Sequence, residues 1–420
     1  MKLLKNSVIY ILVSVISGGL SFLFLPILTS FLSADQFGTL ELYRSSIALL
    51  QGLFIFGSNT LIFGNYFKWS KKELKIFIHN AIFISLVIGS VILSAVLFFP
   101  NLQDIIFERY SIPLIVIFIG ILTSLIQSIT AIQTTLFQIE GKAISYALFV
   151  VGFSLSSLLI SYYFLEYKNY GWKSVVYGIL FASTIFFLLT IFMFYKSKIG
   201  IINPFNKVKM ILLLGSPLIL THIGGWVIEA LDKFMITDLI DVSATGIYAV
   251  NYKFGIIVMM IQVGIIRAWS PFFYKEIAKN NNESKVKIIR YTYWLILILF
   301  LMTISVIMIS PFLFDIFIVD DSYQFSWTII VLVSFAYFFD GLWKIFNCYL
   351  INKNLTSYYA YTLIISAILN VVLNYYFIGE MGVNGAALAT FISFLVGGFF
   401  AFVLSLRTEN MPWSYFIHKK

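Results

Sequence analysis

Twelve runs of predominantly apolar residues follow one another along the chain, at about 8–32, 40–67, 76–99, 111–139, 143–165, 171–195, 210–237, 246–269, 288–310, 325–351, 357–378 and 384–406. Each can cross a bilayer as an α-helix, because a hydrocarbon core of roughly 30 Å needs about 20 residues at about 1.5 Å per residue. A membrane β-strand needs only about half that length, so the runs exclude a β-barrel. Nor can a soluble domain hold them. With 60% hydrophobic and 11% charged residues, and 44 Phe among 420, most side chains would have to be core. The chain reads as an all-α membrane protein with twelve transmembrane helices.

The first run stands behind Lys2 and Lys5 in the manner of a signal peptide, but its apolar stretch is too long and no small-residue cleavage site follows, so it reads as the first span. Cys348, the single cysteine, falls within a span and excludes an intrachain disulfide; three scattered histidines add no metal-ligating cluster, and no cofactor is expected. The net charge of +9 sorts by side. With the N-terminus taken as cytoplasmic, 20 of the 28 Lys and Arg fall on that side, and Arg109, Lys168 and Lys173 on the other. Five lie inside spans: Arg44, Lys233, Lys253, Arg267 and Lys344. That asymmetry places both termini in the cytoplasm and supports an even number of spans. The basic charge is a topology signal, with attraction to anionic membrane lipids second; no nucleic-acid partner is expected.

Landmarks recur at an offset near half the length. SADQFGTLELYR resembles VSATGIYAVNYK, pairing Gly38 with Gly246 and Tyr43-Arg44 with Tyr252-Lys253. FPNLQDIIF resembles SPFLFDIFI through Pro100 and Pro311, Leu102 and Leu313, and Asp104 and Asp315. Ser145-Tyr146 matches Ser357-Tyr358, and YGWKSVVYG matches MGVNGAALA through Gly171 and Gly382. All the offsets lie between 208 and 212. Four matches in order at nearly one spacing read as two six-helix repeats, 1–200 and 201–420, with the basic stretch KSKIGIINPFNKVK at the boundary. Six is even, so the repeats enter the membrane the same way and are parallel; such halves typically enclose a central cavity and alternate access by rocking.

GGLSFLFLPILTSFLSADQFGTLEL, with Pro26 in the first span and a Phe-Gly turn before the second, and GVNGAALAT opening the last span, resemble the polysaccharide or O-antigen flippases. These belong to the multidrug, oligosaccharidyl-lipid and polysaccharide exporter superfamily. The resemblance covers the whole chain through loose motifs. It implies a transporter that moves an undecaprenyl-diphosphate-linked oligosaccharide from the inner to the outer leaflet of the bacterial cytoplasmic (inner) membrane, with a glycan polymerase and chain-length machinery as partners.

Charge at membrane depth costs several kcal/mol and faces a bundle interior or a watery cavity. Three pairs are spaced to neutralise themselves along one helix: Glu229 with Lys233 and Asp340 with Lys344 at i,i+4, and Glu41 with Arg44 at i,i+3. Glu41 reads as lying in the head-group region, which makes its pairing the weakest expectation. This scheme does not account for Lys253, Arg267 and Asp232. Lys253 and Arg267, 14 residues apart, share one face of the eighth span, which suits an anionic ligand such as a diphosphate, although Arg267 also has a snorkelling position. The cationic set for substrate is therefore Arg44, Lys253, Arg267, Lys233 and Lys344. Parallel repeats would place Arg44 and Lys253 at similar depth.

Thr123, Gln127, Thr130, Thr134 and Gln138 form one helical stripe on the fourth span, either bonding to neighbouring helices or touching sugar. Two further stripes are expected to face inward: Tyr337, Asp340, Lys344 and Asn347 on the tenth span, and His222, Trp226, Glu229 and Lys233 on the seventh. Asn347 joins the sugar-contact candidates. Asp232, Glu229 and Asp340 are candidates for coupling to a proton or sodium ion, because a desolvated carboxylate has a raised pKa. Pro26, Pro217 and Gly224-Gly225 stand where the first helix of each repeat can bend. No external segment exceeds about a dozen residues and no nucleotide-binding motif is present, so neither an enzyme nor an ATP-driven pump is expected. An ion-coupled multidrug exporter of the same superfamily and, further off, a membrane glycan polymerase are the competing functions.

Overall fold

The computed structural model describes residues 2–99, 103–104, 109–197, 199, 206–353, 355–408 and 410–413. Its helices are α1 (Lys2–Leu23), α2 (Leu25–Phe31), α3 (Ala34–Ile55), α4 (Ser58–Asn65), α5 (Lys71–Phe98), α6 (Leu114–Ile139), α7 (Ala143–Lys168) and α8 (Lys173–Lys196), then α9 (Val208–Leu239), α10 (Val242–Gly255), α11 (Ile257–Ile277), α12 (Asn282–Phe317), α13 (Trp327–Asn352), α14 (Thr356–Met381) and α15 (Val383–Thr408). Among the described residues, eleven stretches are long and apolar enough to cross a membrane, with α1–α2 and α10–α11 each supplying one. The bent pair α3–α4, counted as one span, makes twelve. The protein is a multi-pass, all-α membrane protein, and its spans coincide with the apolar runs. Helices outrun those runs where caps permit: Asn281 accepts from the Ser284 N–H at 2.8 Å, so α12 starts well before residue 288.

Two spans are broken for different reasons. Pro26 stands in the first turn of α2 and separates it from α1 at Phe24, as a residue lacking an N–H does. Pro217 does not have that effect, since α9 continues through it. The second span turns by 46° where Phe56 (φ 48°) and Gly57 (φ 68°) are both left-handed. A carbonyl released by this break is recaptured: Ser85 of α5 donates to Phe54 O at 2.6 Å. In hydrocarbon such recapture is what makes a broken helix tolerable.

The chain forms two compact units, residues 1–226 with 241–246, and residues 227–240 with 247–420. In the first, Ile62, Phe77, Ile78, Ile129, Ile132, Phe194 and Ile211 form a buried core between α4, α5, α6, α8 and α9. In the second, α13 and α15 pack closely because Gly397 lies against the Trp343 ring and Gly398 against the Phe339 carbonyl. Lipid tails are as apolar as these side chains, so close packing rather than water exclusion holds the helices.

The repeat is visible locally. Gly171 (φ 56°) and Gly382 (φ 62°), matched in sequence, both take the left-handed conformation at the turn before a last span of six. Gly38 and Gly246 are matched in space as well. A Cβ on Gly38 would strike the Val242 carbonyl and approach Gly246 N to 3.0 Å, while a Cβ on Gly246 would strike the Ala34 carbonyl. Each glycine thus meets the carbonyl four residues before the other, so α3 and α10 cross backbone to backbone in the first unit. Pro100 and Leu102, the boundary at residues 200 and 201, and Lys198, Lys419 and Lys420 lie outside the described residues.

Candidate functional site

Each unit has a polar interior of its own. In the second unit it is ionic. Asp232 is completely buried; its Oδ2 accepts from the Tyr248 hydroxyl at 2.5 Å and its Oδ1 from the Lys233 backbone N–H at 2.8 Å. Lys233, also buried, donates to the Glu229 carbonyl at 2.9 Å, places Nζ 3.6 Å from Asp232 Oδ1, and sits 4.9 Å from the centre of the Tyr252 ring. Lys233 thus also meets the carboxylate of its sequence neighbour, beyond the i,i+4 approach to Glu229 that its spacing predicts. Ideal helical geometry disfavours i,i+1 pairs, but Tyr248 from α10 holds Asp232 in place and the long lysine side chain curls back to it.

Tyr252 in turn shares a 2.7 Å hydrogen bond with Tyr337 of α13, three residues before Asp340. Asp340 takes Lys344 Nζ at 2.5 Å as its spacing predicts, and it also accepts from the Gln262 amide of α11. Glu229 is exposed and interacts electrostatically with Asp340, Lys344, Lys233 and Asp232. The structure thus brings together Glu229, Asp232, Lys233, Asp340 and Lys344 and adds Tyr248, Tyr252 and Gln262. Sequence reasoning treated Tyr252 only as the neighbour of a cation and passed over Tyr248 and Gln262. Gln262, a buried amide in an apolar run, was the available signal. Asn347 is buried on α13, Lys253 is half-buried on α10, and Arg267 is exposed on α11. Ile256, between the last two, keeps helical backbone angles and helical hydrogen bonds, so Lys253 and Arg267 stand on one span.

In the first unit Arg44 and Glu41 are bonded at 2.8 Å, as their i,i+3 spacing predicts, and Glu41 is buried. The seventh-span stripe divides: His222 lies 3.3 Å from Ala48 O and against Gly52, and Trp226 donates to Ser45 O at 2.8 Å, so these two fasten α9 to α3.

The fourth-span stripe opens on a cleft of about 500 Å³ between α1, α3, α6, α7 and α8. Gln127, Thr130 and Thr134 line it, joined by Ser17, Ser21, Gln51, Ser154 and Ser183. Gln127 Nε2 donates to Ser183 Oγ at 3.0 Å. Thr123, fully buried, and Gln138, whose carbonyl accepts from the Tyr10 hydroxyl at 3.3 Å, lie outside it. The residues missed from sequence are serines and a glutamine on other helices, each unremarkable in its own span.

Solved structures share this fold. An inward-facing multidrug resistance MATE family transporter of the MOP superfamily superposes with a TM-score of 0.77 at 13% identity, over 93% of this chain and 94% of that one. The lipid II flippase MurJ, in an inward closed conformation, gives 0.69 at 17% identity, over 96% and 88%. In sequence, the Lsg locus putative protein 1 of Haemophilus influenzae is 23% identical over 286 residues, 67% of this chain and 68% of that protein. An uncharacterized membrane protein of the same organism is 20% identical over 289 residues, 68% of each. Residues 217–376 match the MatE family. Residues 3–276 match the polysaccharide biosynthesis protein family, well over half of the chain, and the protein belongs to that family.

Proposed function

We propose that the protein is a flippase, translocating an undecaprenyl-diphosphate-linked oligosaccharide repeat unit from the inner to the outer leaflet of the bacterial cytoplasmic membrane by alternating access. The observation that carries this reading is a polysaccharide biosynthesis chain that is nearly all membrane helix yet keeps polar and ionic side chains inside the helical units. Intramembrane charge is costly, and its usual return is a pathway. Lys253, Arg44 and Arg267 are the cations proposed for the diphosphate. Arg44, Lys233 and Lys344 already pair with Glu41, Asp232 and Asp340, so phosphate would have to compete for them. Glu229, the exposed acid of the cluster, is the leading candidate for ion coupling, ahead of Asp232 and Asp340.

A strain lacking the protein is expected to stop displaying its glycan while the lipid-linked precursor accumulates facing the cytoplasm. Unchanged surface glycan would defeat the proposal. Lys253→Ala and Arg44→Ala are each expected to lower glycan display while the protein remains in the membrane.

The match of residues 217–376 to the MatE family supports a second reading, an ion-coupled multidrug exporter. In that case the deletion strain becomes sensitive to a panel of cationic drugs and keeps its glycan. The cationic residues of the eighth span argue against it by repelling organic cations, while the acids Glu229, Asp232 and Asp340 pull the other way.

A further inference from the structure

The cleft of the first unit has a chemistry quite unlike the ionic cluster of the second. Among the described residues none of its thirteen lining side chains is ionisable. Six carry hydroxyls: Ser17, Ser21, Thr130, Thr134, Ser154 and Ser183. Five of these spend their hydrogen on a carbonyl of their own helix. Ser17 donates to Ser14 O at 3.2 Å, Ser21 to Ser17 O at 3.2 Å, Thr130 to Ile126 O at 3.0 Å, Thr134 to Ala131 O at 3.0 Å and Ser154 to Val150 O at 3.0 Å. A hydroxyl whose proton is committed offers lone pairs only. These five hydroxyls therefore act as acceptors, while the Gln51 and Gln127 amides offer both donors and acceptors. Phe153 and Phe186 add an aromatic wall, their rings 6.1 Å apart.

We infer that this cleft binds an uncharged sugar residue and selects neutral over acidic or amino sugars. A pyranose supplies several hydroxyl donors together with an apolar C–H face for the aromatic wall. An acetamido group adds an N–H. A carboxylate or an ammonium would enter a site holding no opposite charge, and burying an unpaired ion costs far more than burying a hydroxyl. The diphosphate is excluded for the same reason and must lie elsewhere. The volume of about 500 Å³ is within the range of small-ligand sites, roughly 300–1,000 Å³. The inference rests on the reading of the substrate as a glycan and adds the class of sugar.

The test uses the full-length protein in lipid nanodiscs and soluble methyl glycosides as probes: a galactoside, an N-acetylglucosaminide, a glucuronide, and a glucosaminide held protonated below its amine pKa. Saturation-transfer NMR is expected to detect the first two and to miss the last two. Gln127→Leu and the shape-preserving Thr130→Val should each weaken the neutral probes by about tenfold, the effect of about one lost hydrogen bond. If Gln127→Leu does not give folded protein, Thr130→Val alone decides. Absence of neutral-probe binding, equal binding of charged probes, or unchanged affinity in the folded variants overturns the inference. Because the readout is binding to isolated protein, it separates the two proposals. A deletion strain that keeps its glycan defeats the flippase reading and leaves the selectivity result standing, whereas unselective binding defeats only the cleft.

Discussion

Asp232 shows how far the environment of a single residue can depart from what its own helix suggests. Along α9 it has no cation at i±3 or i±4, yet it is fully buried with a tyrosine hydroxyl, a backbone N–H and an ammonium about it. The partner that decides its geometry, Tyr248, is 16 residues away on α10, and single-helix spacing cannot register it. Asp340 was legible because its cation does lie one turn on, at Lys344. Removing the Asp232 carboxylate would leave the buried Lys233 ammonium without the charge 3.6 Å away. Asp232→Ala is therefore expected to destabilise the protein by about 3–5 kcal/mol, and Tyr248→Phe by about 1.5–3 kcal/mol, the range for a hydrogen bond to a charged group. Thermal unfolding of the purified variants checks the order: a smaller loss for Asp232→Ala than for Tyr248→Phe contradicts the buried-pair geometry.

At the scale of elements, periodicity marked what one helix presents and was silent on what several helices compose. The fourth-span stripe was visible because a 3.6-residue repeat puts Gln127, Thr130 and Thr134 on one face. Their companions, Ser17 and Ser21 on α1, Gln51 on α3, Ser154 on α7 and Ser183 on α8, carry no such pattern, since small hydroxyls are ordinary in membrane helices. The break in the second span was likewise illegible: Phe56 is not a residue that sequence would place in the left-handed region. Its stability depends on Ser85, which holds the Phe54 carbonyl at 2.6 Å. Ser85→Ala should cost about 1–3 kcal/mol, the price of a buried acceptor left unsatisfied, and should accelerate amide exchange of residues 52–60 more than that of α6. Uniform exchange across both elements would assign Ser85 a general packing role instead.

For the whole molecule, the count of spans and the repeat were the most legible features, because both rest on long-range regularities that twelve helices average over. Bilayer thickness fixes helix length, and the offset near 210 links glycines that the fold places in equivalent conformations, Gly171 and Gly382. The sidedness of the charges adds a prediction of orientation. Cys348 is the single cysteine and is buried, so Cys348→Ser gives a background for one introduced thiol at a time. Lys168→Cys is expected to react with an impermeant maleimide in intact spheroplasts, and Lys142→Cys only after the membrane is opened; the reverse pattern inverts the topology.

The crossing of Gly38 and Gly246 makes the two repeats each other's template. Whichever glycine gains a methyl group, the same two backbones must part, so the second substitution finds the space already made. Gly38→Ala and Gly246→Ala should lower the melting temperature by similar amounts, and the double variant by little more than either alone, a strong departure from additivity. At this one point, two segments that match in sequence are not free to drift separately: a change in one is, in its steric consequence, a change in both.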